Sequence, residues 1–168
     1  MNEEFLFVPL FKVVKSCVSN IFALKTNLIN ASIPCMIYQK PQLIDFPKIG
    51  SSIDGYISIA EKDNLPFEVK RIYWTYFTPE SVKRGGHAHL RLQQILVAVA
   101  GRIIVTTQMP GEEEQRFILE AASQGIFIPQ YCWRTMQYTH NAVQMCIANM
   151  AYEESDYIRD YEEFKKLR

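Results

Sequence analysis

The sequence predicts an all-β fold with a short helix at its C-terminal end. From about residue 56 onward, short segments rich in β-branched and aromatic residues alternate with turn signals, which is typical of antiparallel sandwiches and barrels. The turns at residues 54–55, 100–101, 109–111 and 124–125 each contain the glycine or proline that a chain reversal needs. After residue 155 the apolar side chains recur at helical spacing instead.

The predicted strands follow one another at short intervals, at residues 56–59, 69–77, 94–99, 102–107, 116–119, 126–128 and 142–148. The C-terminal helix is predicted to begin after Ser155 as its N-cap, with Asp156 in its first turn. Its apolar stripe is predicted to pack on the barrel and consists of Tyr157, Ile158, Tyr161, Phe164 and Leu167.

Residues 1–40 show no clean period, and we interpret them as an N-terminal extension of uncertain structure before a domain at residues 41–168. Met36 precedes a segment that looks like an ordinary start of the β domain, so residues 1–35 could also be a misassigned start. A length of 168 residues suits one hydrophobic core.

The balance of charge argues against polyanionic partners. Eighteen basic and eighteen acidic residues cancel, so no global field attracts nucleic acid or an anionic membrane, and we expect neither partner. The four cysteines lack the spacing of a disulfide framework or a zinc finger, and no apolar stretch approaches twenty residues. A cytoplasmic protein with reduced thiols is the expectation.

Two histidines one residue apart, His87 and His89, form the most informative motif. Side chains alternate along a strand, so both imidazoles would point to the same face. Histidine is the commonest metal ligand and also the side chain best suited to move protons near neutral pH. Arg84, Arg91 and two glycines surround the pair, and so many polar donors on one face are hard to explain as packing. The pattern favours a proton-transfer site.

A metal at this pair is not expected. The stretch is similar to the first cupin motif, G-x5-H-x-H-x3,4-E-x6-G, but Gln94 stands where the acidic ligand falls. In the second motif, Arg134 stands where a third histidine would fall. An amide removes the only anionic ligand, and a guanidinium has donors only and repels a cation. We therefore predict neither a metal nor another cofactor.

The stretch from Pro41 to Leu167 resembles the WxcM-like cupins, which are sugar-nucleotide 3,4-ketoisomerases. The motifs that carry this resemblance are L-P-F at 65–67, K-R-I-Y at 70–73, R-G-x-H-A-H at 84–89, Q-I-L-V at 94–97, Pro129 with Trp133, and D-Y-I-R-x-Y at 156–161. The resemblance implies a metal-free, homodimeric cupin jelly-roll barrel. It also implies conversion of dTDP-4-keto-6-deoxyglucose to its 3-keto isomer.

This chemistry needs a base and an acid but no redox cofactor, because a proton leaves carbon 3 and another reaches carbon 4 through an enediolate. We expect His89 to be the base and His87 its relay or the acid, although the sequence does not fix the order. By the resemblance, Arg71 and Arg84 lie near the substrate, where they suit the diphosphate. Arg91 is a weaker candidate for that role.

The remaining expectations concern the walls of the site. Tyr73 shares the strand face of Arg71 and either hydrogen-bonds the substrate or packs in the barrel. Gln94 is expected to orient a histidine or the sugar, and Trp74, on the opposite face, is expected in the core. Arg134 replaces a histidine that some relatives carry and cannot deliver a proton. A single proton-bearing face then favours the gluco product, feeding a 3-amino-3,6-dideoxyglucose pathway.

Two alternatives stay open. The first is a 3,5-epimerase acting on the same 4-keto sugar, whose proton abstraction commonly pairs a histidine with an aspartate. No aspartate is near the H-x-H stretch in the sequence, which weighs against it. The second is a non-catalytic cupin module that binds a sugar nucleotide through Arg71 and Arg84.

Overall fold

The computed structural model describes residues 39–61 and 64–167. Residues 1–38 of the predicted N-terminal extension lie outside this part of the chain. The elements of the described part are β1 (Gln42–Asp45), β2 (Lys48–Ser51), β3 (Gly55–Ser58), β4 (Arg71–Thr75), β5 (Arg84–His89), β6 (Gln94–Ala100), β7 (Ile103–Gln108), β8 (Gln115–Leu119), β9 (Gln124–Ile128), β10 (Trp133–Tyr138), β11 (Val143–Ala148), β12 (Tyr157–Ile158) and α1 (Tyr161–Lys166).

Most strands form two five-stranded antiparallel sheets that enclose one core. The first sheet has the order β1-β9-β6-β11-β4, the second β12-β5-β10-β7-β8, and β2 and β3 form a separate hairpin. The principal core cluster takes Leu96, Ile126 and Cys146 from the first sheet and Val105 and Leu119 from the second. This architecture confirms the predicted all-β fold with its short C-terminal helix.

The middle of the first sheet, at β6 and β9, is buried on both of its faces, which explains the apolar run of β6 after Gln94. Leu96 belongs to the core between the sheets, whereas its neighbours Ile95 and Val97 join a second cluster with Phe127 on the other face. In β7, by contrast, burial alternates, and Ile103 and Val105 point inward. Alternation is what a strand with one covered face requires.

The C-terminal segment differs from its prediction. The helix begins at Tyr161 with Asp160 as N-cap, whose side chain accepts a hydrogen bond from the backbone N–H of Glu163. Ser155 is therefore not the cap: residues Glu154–Asp156 form a 3-10 turn, and Tyr157 and Ile158 pair with β5 as strand β12. The spacing of the apolar residues is compatible with one longer helix, but pairing with β5 makes Tyr157 and Ile158 a strand instead.

Trp74 is 60% exposed, so its predicted place in the core is wrong. It lies on β4, the last strand of its sheet, and no described residue covers the outer face there. Cys132 and Cys146 are buried free thiols. Among residues 39–61 and 64–167, no helix is long and apolar enough to cross a membrane.

Candidate active site

A cavity of about 350 Å³ lies between the two sheets. It contains six of the seven residues predicted for the site, and these are Arg71, Tyr73, Arg84, His87, Gln94 and Arg134. The sequence analysis assigned no site role to the other lining residues, which include Thr75, Gln144 and Tyr152, and it placed Tyr157, which also lines the cavity, in the apolar stripe of the helix. His89 is not part of the lining and lies directly behind it.

Strand geometry brings these residues together. Arg71 and Tyr73 are two residues apart on β4, and both turn toward the cavity, as the strand period predicts. On the facing sheet, Arg134 of β10 pairs with His87 of β5, and a β-bulge follows at once. Gly85 allows this close pairing: its φ is +89°, and a Cβ there would come within 2.5 Å of the Arg134 carbonyl oxygen.

Arg134 is a buried cation held by neutral acceptors. The side chain is 3% exposed. Its Nη1 donates to the His87 carbonyl oxygen at 3.0 Å, and its Nη2 lies 2.7 Å from His89 Nε2. The Gln94 amide oxygen, turned toward Arg134, accepts from Nε at 2.9 Å and from Nη2 at 2.8 Å. Burial lowers the pKa of the guanidinium, but arginine remains protonated in proteins.

His89 is enclosed between Arg134 and an aspartate. The ring is 3% exposed, and its Nδ1 lies 3.0 Å from Oδ2 of Asp156, which is 2% exposed. Burial, followed by the charge of Arg134, lowers the pKa of His89 to about 2. The neighbouring carboxylate favours a charged imidazole, but desolvation and Arg134 outweigh it, so the ring is neutral at physiological pH.

His87 faces the cavity directly. Its ring stands edge-on to His89 with the centroids 5.1 Å apart and lies 4.9 Å from the ring of Tyr157. Its Nδ1 is buried and has no hydrogen-bond partner in the described part of the chain. Burial and then the charge of Arg134 lower the pKa of His87 to about 3. A neutral ring with an available lone pair is the form that a base requires.

The cavity is positive, because Arg71, Arg84 and Arg134 line it and no aspartate or glutamate is among its described lining residues. The Arg71 guanidinium lies 5.1 Å from the ring of Tyr73 and 5.8 Å from that of Tyr152, and its buried Nε has no hydrogen-bond partner among residues 39–61 and 64–167. Arg91, the weaker candidate, is absent from the lining and instead forms an exposed ion pair with Glu153.

Tyr73 and Gln94 form the wall opposite the histidines. One amide atom of Gln94 faces Arg134, and the other lies 3.5 Å from the Tyr73 hydroxyl and 3.3 Å from Cys146 Sγ. Burial raises the pKa of Tyr73 and raises that of Cys146 to about 11. Both groups therefore stay protonated at neutral pH, as neutral hydrogen-bonding groups beside the cations.

The sequence analysis missed Asp156, which it placed in a helix. Asp156 lies 67 positions from His89 in the sequence, so the absence of an aspartate from the H-x-H stretch did not mean its absence from the site. That argument against an epimerase is wrong. The D-Y-I-R string that begins at Asp156 was the available signal. No group of three His, Cys, Asp or Glu side chains in the described residues could hold a metal ion.

Comparisons with known proteins agree on one family. The family described as WxcM-like, C-terminal, matches residues 39–168. A TDP-4-oxo-6-deoxy-α-D-glucose-3,4-oxoisomerase of Aneurinibacillus thermoaerophilus is 35% identical over 128 residues, which are 74% of this chain and 90% of that protein. The chain belongs to the WxcM-like family, as the sequence predicted, and with these relatives it is an isomerase.

Solved structures of relatives share the fold. A 3,4-ketoisomerase from Helicobacter canadensis is 31% identical with a TM-score of 0.71, over 76% of this chain and 96% of that one. A sugar 3,4-ketoisomerase from Thermoanaerobacterium thermosaccharolyticum in complex with TDP is 31% identical with a TM-score of 0.70, over 74% and 91%. A histidine-to-asparagine variant of the latter enzyme was solved with TDP-4-keto-6-deoxyglucose (30% identity, TM-score 0.70, 74% and 91%).

A dTDP-4-dehydrorhamnose 3,5-epimerase from Bacillus anthracis shares only the fold. It is 10% identical with a TM-score of 0.60, over 70% of this chain and 76% of that one.

Proposed function

We propose that this protein is a 3,4-ketoisomerase of a dTDP-linked 4-keto-6-deoxy-hexose and forms the 3-keto isomer without a metal or redox cofactor. The observation that carries the proposal is the neutral His87 ring, which faces a cavity lined by Arg71, Arg84 and Arg134 and by no carboxylate among its described residues. A proton acceptor surrounded by fixed cations suits a reaction in which an anionic substrate develops an enediolate. The names of the relatives point to the same reaction.

His87 is the base in this proposal, and His89 has a supporting role. This order reverses the one expected from the sequence. The reason is access: His87 lines the cavity, whereas His89 is buried with one ring nitrogen at Asp156 and the other at Arg134. His87 takes the proton from carbon 3, and the electrons form the enediolate. The hydroxyl proton on oxygen 3 passes to the negative oxygen on carbon 4. Carbon 4 then takes a proton from water while the carbonyl forms at carbon 3, and the imidazolium releases its proton to water.

The cations divide into two groups in this mechanism. Arg134, at the inner end, stabilises negative charge on the enediolate oxygens, and a donor in such a position contributes roughly 3 kcal/mol. Arg71 and Arg84 hold the diphosphate, which suits the free buried donor on Arg71. Tyr73 hydrogen-bonds the sugar or a phosphate, and Gln94 keeps Arg134 in place.

The product is the gluco isomer in this proposal, made for a 3-amino-3,6-dideoxyglucose pathway. Arg134 stands beside His87, at the position where some relatives carry a second histidine that could deliver a proton, and a guanidinium does not release one. H3 and H4 of a gluco sugar lie on opposite faces of the ring, so transfer on one face alone, as the sequence argument assumed, would give the galacto isomer. In this proposal carbon 4 therefore receives its proton from water on the face opposite His87. A cytoplasmic location, as expected from the sequence, completes the proposal.

A homodimer is also proposed, with β4 at its interface. The strand is an unpaired edge in the described sheet, and apolar side chains remain exposed along it and just beyond it. These residues are Ile72, Trp74, Tyr76 and Phe77, with exposed fractions from 49% to 83%. A contiguous apolar surface of this kind marks an association site.

The decisive experiment incubates the purified, chelator-treated protein with dTDP-4-keto-6-deoxyglucose and follows the products by NMR in water and in deuterium oxide. We expect a 3-keto sugar with an equatorial hydroxyl at carbon 4. An axial hydroxyl overturns the stereochemical part, and hydrogen exchange at carbon 5 with inversion there shows a 3,5-epimerase instead. If the protein binds TDP but does not convert the sugar, it is a non-catalytic module that binds a sugar nucleotide.

Two matched variants test the assignment of the base. His87→Asn removes the proton acceptor, so we expect kcat to fall by about 10²- to 10⁴-fold while TDP still binds. His89→Asn keeps His87 and is expected to retain more activity. If His89→Asn abolishes turnover and His87→Asn does not, the order expected from the sequence is restored.

A further inference from the structure

A buried chain of three side chains extends from the cavity to the outer side of β5. It begins at Arg134, passes through the His89 ring and ends at the Asp156 carboxylate, with contacts of 2.7 Å and 3.0 Å. Each of the three is 3% exposed or less. The two ends carry opposite charges, and the imidazole between them contacts both.

The partners of Asp156 determine which nitrogen of His89 carries the proton. Oδ1 accepts the backbone N–H of Arg91 at 2.8 Å, and Oδ2 accepts that of Leu92 at 3.2 Å. Both oxygens are therefore acceptors, and His89 Nδ1 must be the donor in its contact with Oδ2. Because the neutral ring has one proton, Nε2 is left with a lone pair, which is what a contact with the Arg134 Nη2 donor requires.

We propose that Asp156 is a positioning residue of the active site: it fixes His89 as the Nδ1–H tautomer, and Nε2 of that tautomer holds Arg134 in its place against the cavity. The proposal rests on the function proposed above only for its kinetic consequence. The opposite tautomer would aim an N–H at a guanidinium N–H, and Arg134 would lose one of its acceptors.

Strand β12 explains how a residue so far along the chain reaches this place. Tyr157 pairs with His89 across β12 and β5, and its ring packs on the imidazole at 4.2 Å between centroids. The backbone carbonyl of Asp156 accepts the N–H of Leu90. The carboxylate is thus fixed by its own backbone and by the loop after β5, independently of the histidine.

The test compares Asp156→Asn with Asp160→Asn. The second variant makes the same chemical change in the same motif, at the N-cap of α1, where asparagine is an equally good cap. The first readout is the 15N NMR shift of the histidine ring nitrogens, measured without substrate. In the wild type and in Asp160→Asn we expect a protonated Nδ1 and an unprotonated Nε2 on His89, unchanged from pH 5.5 to 8.5.

In the wild type the His89 ring and two backbone N–H groups share the two carboxylate oxygens of Asp156, whereas Asp156→Asn leaves them a single acceptor oxygen. We expect both His89 tautomers to be populated, and kcat to fall at least about tenfold with the dissociation constant of TDP within about threefold of wild type. A merely structural role would lower the thermal midpoint and leave the tautomer unchanged.

A wild-type spectrum with a protonated Nε2 on His89 overturns the proposal, and this result stands even if Asp156→Asn does not fold. Unchanged kcat and tautomer in a folded Asp156→Asn overturn it too. If the wild type never isomerises the sugar but His89 carries its proton on Nδ1, the proposed function fails while the positioning of Arg134 by Asp156 stands.

Discussion

His87 and His89 show how environment separates two identical side chains. They share one face of β5, as the sequence predicted, yet one lines the cavity and the other is closed in by Arg134 and Asp156. The H-x-H spacing identified the face, and the arginines of the site could be predicted from the same local motifs. The division of roles could not, because it depends on Asp156, which approaches from a distant segment.

The lowered pKa values of the two histidines predict a loss of stability in acid. Below pH 6.5 the unfolded chain binds protons on these rings that the folded chain does not bind until the pH approaches 3. The free energy of unfolding therefore decreases as the pH is lowered below 6.5, by up to about 1.4 kcal/mol per pH unit for each ring. Above pH 7 neither ring contributes to the pH dependence. Urea denaturation at pH 7.5 and 5.0 measures this slope.

His87→Asn removes one of the two imidazoles and should therefore remove its contribution to this pH dependence of the free energy of unfolding. His140→Asn, at an exposed turn, is the matched control and should leave the slope as in the wild type. Equal slopes in the wild type and His87→Asn would show that His87 titrates normally in the folded protein.

Gly85 and Gly86 make a second test at the residue scale. Both have positive φ, so alanine costs about 1 kcal/mol of backbone strain at either position. At Gly85 the new Cβ also meets the Arg134 carbonyl, whereas at Gly86 nothing lies within 4 Å. We expect Gly85→Ala to lose more stability and most of the activity, and Gly86→Ala to lose little activity. Denaturation midpoints and kcat for both variants decide; equal effects contradict the prediction.

Among the elements, the C-terminal segment departs most from its sequence pattern. The strands with strong apolar runs, such as β6, β7 and β11, could be predicted because burial fixes their composition. The two-residue strand β12 could not, since its pairing with β5 is a long-range contact that leaves no local period. The same pairing carries Asp156 to the site, so the error in the element caused the error in the site.

Helix α1 is expected to stabilise the histidine strand from behind. Phe164 is fully buried in a cluster with Ala88 and Ile158, and its ring lies 5.4 Å from that of Trp133. Phe164→Ala should therefore lower the free energy of unfolding by about 3–5 kcal/mol. Lys166→Ala, an exposed position on the same helix, is the control and should leave the urea midpoint unchanged. A small effect of Phe164→Ala would mean that the helix is not part of the cooperative unit.

For the whole molecule, the two sheets and their shared core followed from composition and turn spacing, but the surface did not. The sequence placed Trp74 in the core because apolar side chains are usually buried, and the described structure leaves it exposed on an edge strand. A pattern read along one chain does not distinguish a core from an interface. The exposed face of β4 is where that distinction matters.

The proposed dimer predicts that charge on this face separates the subunits. Trp74→Arg should convert the full-length protein to a monomer in light scattering at micromolar concentration, because a guanidinium would be buried without a partner. Ile118→Arg makes a similar change on β8, the edge of the other sheet, where Ile118 is also exposed, and should leave the dimer intact. A monomeric wild type, or dimers in both variants, would remove β4 from the interface.

The pairing of β12 with β5 also sets the order in which the protein can mature during its synthesis. Both histidines, all three cavity arginines and the two sheets apart from β12 leave the ribosome before residue 156 does. A nascent chain that stops short of that residue contains every other strand of the two sheets and still lacks the group that contacts His89 and, through it, positions Arg134. The last strand of the described chain to be synthesised is thus the one that completes the site around His89.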